Sequence, residues 1–125
     1  MIATCEQYKE ALLKLRDAKR IRNTKFVEML RAQYEMPNHA ITATQMAEAV
    51  GFHNYNATNL QYGTLGKEIA SFLNYTPPTM ANGEPIWFWS LSSGNDASES
   101  TTHGHYEFVM RPELVEALKE MKWVK

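Results

Sequence analysis

The sequence has a single cysteine, Cys5, in 125 residues. One cysteine excludes an intramolecular disulfide framework and any zinc site built from several cysteines, and it is compatible with a reducing compartment. The sequence also lacks an apolar run of membrane-spanning length, and Glu6 and Glu10 interrupt the N-terminus where a signal peptide would have its apolar core. We therefore expect an intracellular, cytoplasmic protein with no membrane association.

Catalytic motifs are missing as well. There is no phosphate-cradling glycine loop, no nucleophile elbow and no His-Asn-His nuclease motif. His103 and His105 have a spacing that could bring two imidazoles to one metal, but no cysteine or carboxylate at ligand spacing completes such a site. Surface histidines are the preferred interpretation, and His39 and His53 are expected in turns. We expect no catalytic residue, no metal and no cofactor.

Positive charge is scarce overall and concentrated locally. The net charge is −1 and the pI about 6.4, which argues against a generic, charge-driven nucleic-acid binder. The stretch from Lys14 to Lys25, however, has six basic residues and only Asp17 as an acid. Such a patch can contact phosphates, and we assign this role to three residues at its centre: Lys19, Arg20 and Arg22. The alternative is a solvated helix end and loop.

Residues 42–73 have the features of a helix-turn-helix. Thr42 and Gln45 form a capping box, which predicts the start of a helix. Gly51 can end that helix in a left-handed conformation, as glycine does at little cost. Asn54 or Asn56 can cap a second helix, so two helices are predicted on either side of a tight turn. This arrangement indicates a nucleic acid as partner.

The second helix supplies the predicted reading residues. At about 100° per residue, Ala57 and Leu60 share one side, which we expect to be buried. Four side chains then project from the opposite side and are expected to contact double-stranded DNA: Tyr55, Thr58, Asn59 and Tyr62. Asparagine pairs well with the adenine edge, and threonine can contact either base. The alternative is a polar, solvated face without a partner.

Two glycines, Gly63 and Gly66, follow within four residues, and each costs up to about 1 kcal/mol relative to alanine inside a helix. The later apolar residues, which include Leu65 and Ile69, are rotated by roughly 130° from Ala57 and Leu60 on one ideal helix. We therefore predict a kink or break near Gly63, with Thr64 as a possible new N-cap. A continuous helix with glycines at a close backbone approach is the alternative.

The remaining segments complete an α+β chain. Helices are predicted over residues 5–18, from a capping box of Thr4 and Gln7, and over residues 24–34. Strands are predicted near 85–91 and 105–110, with the polar loop 92–104 between them, and Pro112 fits the first turn of a last helix. The three tryptophans, Trp87, Trp89 and Trp123, are expected in the core, the first two on one strand face.

These elements predict one winged helix-turn-helix domain over residues 1–125. Residues 1–23 form an N-terminal helix and a basic connector, residues 24–75 the helix-turn-helix core, and residues 84–125 a hairpin wing with a C-terminal helix. The hairpin loop would be the tip of the wing.

Residues 24–125 also resemble a known family. The segments ITATQMAEAVGF, NYNATNLQYGTLG, WFW and VMRPELVEALKEMKWV are similar to a small winged-helix-like module found upstream of HNH endonuclease domains in bacterial restriction-type proteins. The most specific parts are the run from Asn59 to Gly66 and Met110-Arg-Pro-Glu113. The resemblance implies a module that recognises DNA, and since these residues contain no nuclease motif, it implies target recognition or regulation in bacterial or phage defence.

Two functions follow from different classes. The first is a non-catalytic DNA-binding module. The second is a protein-interaction winged helix that acts as a subunit or inhibitor of a defence system, for example a mobile-element anti-defence protein. A continuous positive surface that joins Lys19, Arg20 and Arg22 to Asn59 would favour DNA, whereas their separation by the acidic region after residue 80 would favour a protein partner.

Overall fold

The computed structural model describes residues 2–21, 24–94 and 106–124. The described residues contain five α-helices: α1 (Cys5–Asp17), α2 (Phe26–Glu35), α3 (Ala43–Val50), α4 (Tyr55–Leu73) and α5 (Pro112–Glu120). They also contain three strands: β1 (Ala40–Thr42), β2 (Ser92–Gly94) and β3 (Glu107–Met110). The predicted α+β class is confirmed. In the described part of the chain no helix combines the length and apolar character needed to cross a bilayer.

Local sequence signals start and end the N-terminal helices as predicted. Thr4 and Gln7 form a capping box at α1, and Thr42 and Gln45 form another at α3. In α3 the Thr42 hydroxyl accepts from the Gln45 amide at 3.1 Å, and the Gln45 side chain accepts from the Thr42 amide at 3.0 Å. Gly51 ends α3 with a φ of +82°. These short-range signals place the helix-turn-helix.

Asn54 is the N-cap of α4, and its side chain accepts a hydrogen bond from the Ala57 amide at 3.0 Å. The helix then continues without interruption to Leu73, so the predicted break near Gly63 is wrong. Thr64 is not an N-cap, because its hydroxyl donates to the Leu60 carbonyl one turn earlier. The alternative of a continuous helix is the correct one.

The buried side of α4 explains why no break is needed. Leu60, expected in the core, is 69% exposed, whereas Thr58 and Tyr62 are fully buried. Thr58, Tyr62, Leu65 and Ile69 form one continuous stripe at helical spacing, and this stripe faces the core along the whole helix. The rotation of roughly 130° expected between two apolar stripes is therefore absent, because Leu60 does not belong to the buried side of α4.

The sheet is antiparallel, with the strand order β1-β3-β2. Ile41 of β1 pairs with Phe108 of β3, and Ser92 of β2 pairs with Met110. The strand predicted at 105–110 is confirmed as β3. The strand predicted at 85–91 is wrong, because Trp87–Ser90 is a short 3-10 helix, called here the aromatic 3-10 helix, and β2 follows it.

A buried polar network joins the helices to the sheet. The Tyr62 hydroxyl donates to the side-chain carbonyl of Gln33 at 2.6 Å and lies 2.7 Å from the Ser92 hydroxyl. The Gln33 amide donates in turn to Ser92 and to the Phe108 carbonyl. Gln33, Tyr62 and Ser92 are each 0% exposed. Tyr62 is therefore buried at no cost in unpaired polar atoms.

Of the three tryptophans expected in the core, Trp123 packs against it, whereas Trp87 and Trp89 do not. Trp87, Trp89 and Trp123 are all half-buried. Trp87 and Trp89 belong to the aromatic 3-10 helix rather than to a strand face. This helix packs against α4, which also contacts α1 and α3. The aromatic residues of this segment therefore remain partly accessible beside α4.

Candidate recognition surface

Helix α4 presents one solvent-facing side, called here the outward face. It consists of the six exposed residues of the helix: Asn56, Asn59, Leu60, Thr64, Lys67 and Ser71. The face has two amides, two hydroxyls, one apolar side chain and one cation, and it includes no carboxylate. Short polar groups on an exposed helix can hydrogen-bond a partner, and the missing negative charge permits a polyanion to approach.

Only one of the four predicted reading residues lies on this face. Asn59 is exposed, and its amide makes no hydrogen bond with the described residues. The expected exposure is wrong for Thr58 and Tyr62, which lie in the core, and Tyr55 is half-buried against it. The reason is the rotation of the helix described above. The same rotation explains why four other exposed residues of this face were not predicted as reading residues: Asn56, Leu60, Thr64 and Lys67.

Gly63 lies beside the outward face, and no neighbour among the described residues requires a glycine there. A Cβ atom at this position would meet nothing within 4 Å among the described residues. By contrast, a Cβ at Gly66 would overlap the Trp87 carbonyl, so Gly66 allows the aromatic 3-10 helix to approach α4. Packing therefore explains Gly66 and leaves Gly63 unexplained.

The predicted phosphate contacts do not lie beside Asn59. Lys19 and Arg20 are exposed just after α1, and Arg20 Nη1 pairs with Glu68 Oε1 at 3.0 Å. Glu68 follows Asn59 by nine residues, which at about 100° each places it half a turn round α4 from Asn59, within one turn of the outward-face residues Thr64 and Ser71. Arg22 lies outside the described residues. The structure thus separates Lys19 and Arg20 from Asn59 instead of joining them.

Lys25, from the same basic stretch, lies closer to the helix-turn-helix. Its ammonium group donates to the Val50 carbonyl at 2.7 Å, at the end of α3, and is 5.9 Å from the centre of the Phe52 ring. A cation at this position interacts favourably with the partial negative charge of a helix C-terminus. The turn between α3 and α4 therefore carries a positive group.

An aromatic pocket opens next to the outward face and encloses about 560 Å³. It is lined by Asn59, Tyr62, Gly63, Met80, Pro85, Ile86, Trp87, Phe88, Trp89, Tyr106 and Phe108. Asn59 and Gly63 thus belong both to the edge of the outward face and to the pocket wall. The sequence suggested the aromatic segments but not the pocket, because their joining depends on the packing of the 3-10 helix against α4.

Hydrogen bonds and ring contacts fix the walls of the pocket. The Ser90 hydroxyl donates to the Gly66 carbonyl at 2.7 Å, which ties the aromatic 3-10 helix to α4. The Phe88 ring packs edge-to-face against Phe108, with 4.9 Å between centroids, and against Tyr106. Such edge-to-face pairs hold aromatic rings in defined orientations. The pocket is therefore a preformed cavity with aromatic walls.

Two cations lie against the tryptophans of this pocket. Lys67 Nζ is 5.6 Å from the centre of the Trp87 ring, and Arg111 Cζ is 5.7 Å from that of Trp89. Arg111 also donates to the Trp89 carbonyl at 2.8 Å. No carboxylate occurs among the described residues that line the pocket. The pocket therefore combines aromatic surface with nearby positive charge.

One cluster of titratable side chains, formed by residues from both ends of the chain, was not expected from the sequence. Cys5, Glu6 and Glu120 offer ligand atoms within 4.8 Å of one another, but Lys9 Nζ already contacts both carboxylates at 2.9 Å. Lys9 holds the pKa of Glu120 below its usual value, and burial together with the Glu120 hydrogen bond raises the pKa of the Cys5 thiol. A thiol with a raised pKa is a poor nucleophile.

The two described histidines, His39 and His53, lie outside α4. His39 Nδ1 is 2.7 Å from the Tyr34 carbonyl and its ring stacks on Tyr34. His53 is exposed in the turn before α4, as expected for a turn residue. His103 and His105 lie outside the described residues.

Comparison of the chain with protein-family models, curated proteins and solved structures gave no match. The resemblance to the restriction-associated module therefore depends on the quoted sequence segments alone.

Proposed function

We propose that this chain is a non-catalytic winged-helix module that recognises duplex DNA with α4. The order α2-β1-α3-α4-β2-β3 and the strand order β1-β3-β2 are compatible with a winged helix. In helix-turn-helix proteins the second helix of the motif lies in the major groove. Helix α4 has this position in the chain, after the tight turn at Gly51.

The observation that carries the proposal is Gly63. A glycine inside a helix costs roughly 0.5–1 kcal/mol relative to alanine, and no neighbour among the described residues needs the space. A partner that approaches the backbone of α4 at this point would use that space. Gly63 therefore supports an external contact along the outward face.

The chemistry of the outward face is suited to base edges. Asn56 and Asn59 can each form two hydrogen bonds with adenine, and Leu60 can contact a thymine methyl group. Lys67, and Lys25 at the turn, can contact phosphates on either side. We propose these five residues as the reading set, in place of a set that includes Thr58 and Tyr62.

The resemblance extends this proposal to a biological setting. It supports target recognition or regulation in bacterial or phage defence, with the cytoplasm as the place of action.

Two variants of the outward face test the proposal in a binding assay with a selected duplex. Asn59→Ala should make the free energy of duplex binding less favourable by about 1–3 kcal/mol. Its thermal melt should show a change in the free energy of unfolding of under about 0.5 kcal/mol. Gly63→Ala should stabilise the free protein by about 0.5–1 kcal/mol and yet weaken duplex binding. This opposite movement of stability and affinity distinguishes a contact from a folding defect.

A protein partner is the second candidate, and the position of the basic residues favours it. Arg20 pairs with Glu68, half a turn round α4 from Asn59, and the outward face carries Leu60 beside an aromatic pocket. Aromatic and methionine side chains are enriched in protein interfaces. If neither wild-type protein nor variants bind any duplex from a randomised pool, the DNA proposal is wrong and the protein partner is preferred.

A further inference from the structure

We infer that the aromatic pocket receives one unstacked nucleobase of the DNA that binds on α4. This inference rests on the proposed function and adds a second mode of recognition to it. The position of the pocket is the first argument. Asn59 and Gly63 line the pocket and adjoin the outward face, so a strand held on α4 passes the opening of the pocket.

The side chains that line the pocket are also suited to a nucleobase. Unpaired bases bind proteins by stacking on aromatic side chains and by hydrogen bonds along their polar edges. Trp87, Trp89 and Tyr106 supply partly accessible rings. The Asn59 amide has no hydrogen bond with the described residues and can bond the edge of a base. The pocket therefore offers both kinds of contact.

Charge and size are the third argument. The described residues of the lining include no carboxylate, and Lys67 and Arg111 lie against Trp87 and Trp89. The backbone phosphates on either side of the bound nucleotide would therefore meet cations rather than anions. The volume of about 560 Å³ lies within the range of roughly 300–1,000 Å³ that is usual for small-ligand sites.

Three duplexes of one sequence test the inference by fluorescence anisotropy. The first is fully paired, the second has a single bulged nucleotide, and the third has an abasic bulge with the same backbone. A bulged base is already unpaired, so the cost of unstacking it is lower. We expect the bulged duplex to bind at least tenfold more tightly than the other two.

A pair of tryptophan variants connects the effect to the pocket. Trp87→Leu should reduce the preference for the bulged base at least fivefold and leave affinity for the paired duplex nearly unchanged. Trp123→Leu is the matched control, because Trp123 is equally half-buried but lines a cleft with Arg31 and Glu35 instead. If Trp87→Leu does not fold, Met80→Glu serves in its place, since Met80 lines the pocket and is 49% exposed.

The outcomes separate this inference from the proposed function. Equal affinity for all three duplexes overturns the inference and leaves DNA binding intact. The inference is also wrong if the Trp87→Leu variant keeps the full preference for the bulged duplex. Binding of free nucleosides as tight as that of the bulged duplex overturns the assignment to a DNA base. Failure to bind any duplex overturns both proposals.

Discussion

At the scale of single residues, Tyr62 shows how a polar side chain becomes part of a core. Its hydroxyl has one proton, which it donates to Gln33, so the Ser92 hydroxyl is left to donate to Tyr62. Gln33 completes the ring by donating to Ser92 at 3.0 Å. Every member of this ring has a partner, and the network connects α2, α4 and β2.

We predict that Tyr62→Phe destabilises the protein by about 1–3 kcal/mol, because it leaves the Gln33 carbonyl buried without a donor. Denaturant unfolding measures the change. Tyr34→Phe is the control: Tyr34 is half-buried, and we expect the change there to be under about 0.5 kcal/mol. Equal effects of the two substitutions would mean that the network contributes nothing specific.

We also predict a loss of stability in alkaline solution. Burial raises the pKa of both Tyr62 and Tyr8 above the ordinary value of 10.0. The unfolded state therefore loses these protons first, so their contribution is complete below pH 10 and is lost as the pH rises further. Thermal melts from pH 8 to 11.5 should show the decline. Tyrosinate absorbance at 295 nm should include a component that appears only on unfolding.

At the scale of elements, two glycines of α4 have different roles. Gly66 is buried where the carbonyl of Trp87 crosses the helix, and the Ser90 hydroxyl donates to the Gly66 carbonyl. Gly63 faces open space three residues earlier. The same helix therefore has one glycine for internal packing and one for a proposed external contact.

We predict that Gly66→Ala destabilises the protein by more than about 2 kcal/mol, since the added methyl group meets backbone atoms that can move only with the whole 3-10 helix. Gly63→Ala provides the comparison in the same melting experiment and should increase stability. Should Gly66→Ala also be neutral or stabilising, the close approach of the aromatic 3-10 helix to α4 is wrong.

At the scale of the whole molecule, charge is distributed unevenly around α4. The outward face has Lys67, the ammonium group of Lys25 reaches the turn before α4 from the start of α2, and Arg20 pairs with Glu68 half a turn round the helix from Asn59. With a net charge of −1, few phosphate contacts are available. We therefore expect duplex binding with a weak salt dependence and a large share of base contacts.

We predict that Lys67→Ala reduces the slope of log affinity against log salt by about 0.9, the value for one phosphate contact. Lys119→Ala is the matched control, because Lys119 is an exposed lysine on α5. The double variant Lys19→Ala/Arg20→Ala should leave the slope unchanged, because Arg20 already pairs with Glu68, half a turn round α4 from Asn59. If the double variant lowers the salt slope and Lys67→Ala does not change it, the DNA binds on the α1 side instead.

The sequence by itself determined the features that depend on neighbours along the chain. The capping boxes at Thr4 and Thr42, the left-handed Gly51 and the Asn54 cap are interactions over three or four residues, so their residue types specify them. The α+β class and the strand at Glu107–Met110 also followed from local patterns. Of the four side chains predicted to read DNA, Asn59 is the one that is exposed as predicted.

Tertiary structure decided which side of α4 is buried and what lies beside it. Hydrophobicity placed Leu60 inside and Tyr62 outside, but Gln33 and Ser92, distant in sequence, satisfy the Tyr62 hydroxyl and make its burial favourable. The aromatic segment formed a 3-10 helix rather than a strand, because it packs against Gly66 of α4 and so contributes to the pocket. Both results depend on partners that no local pattern specifies.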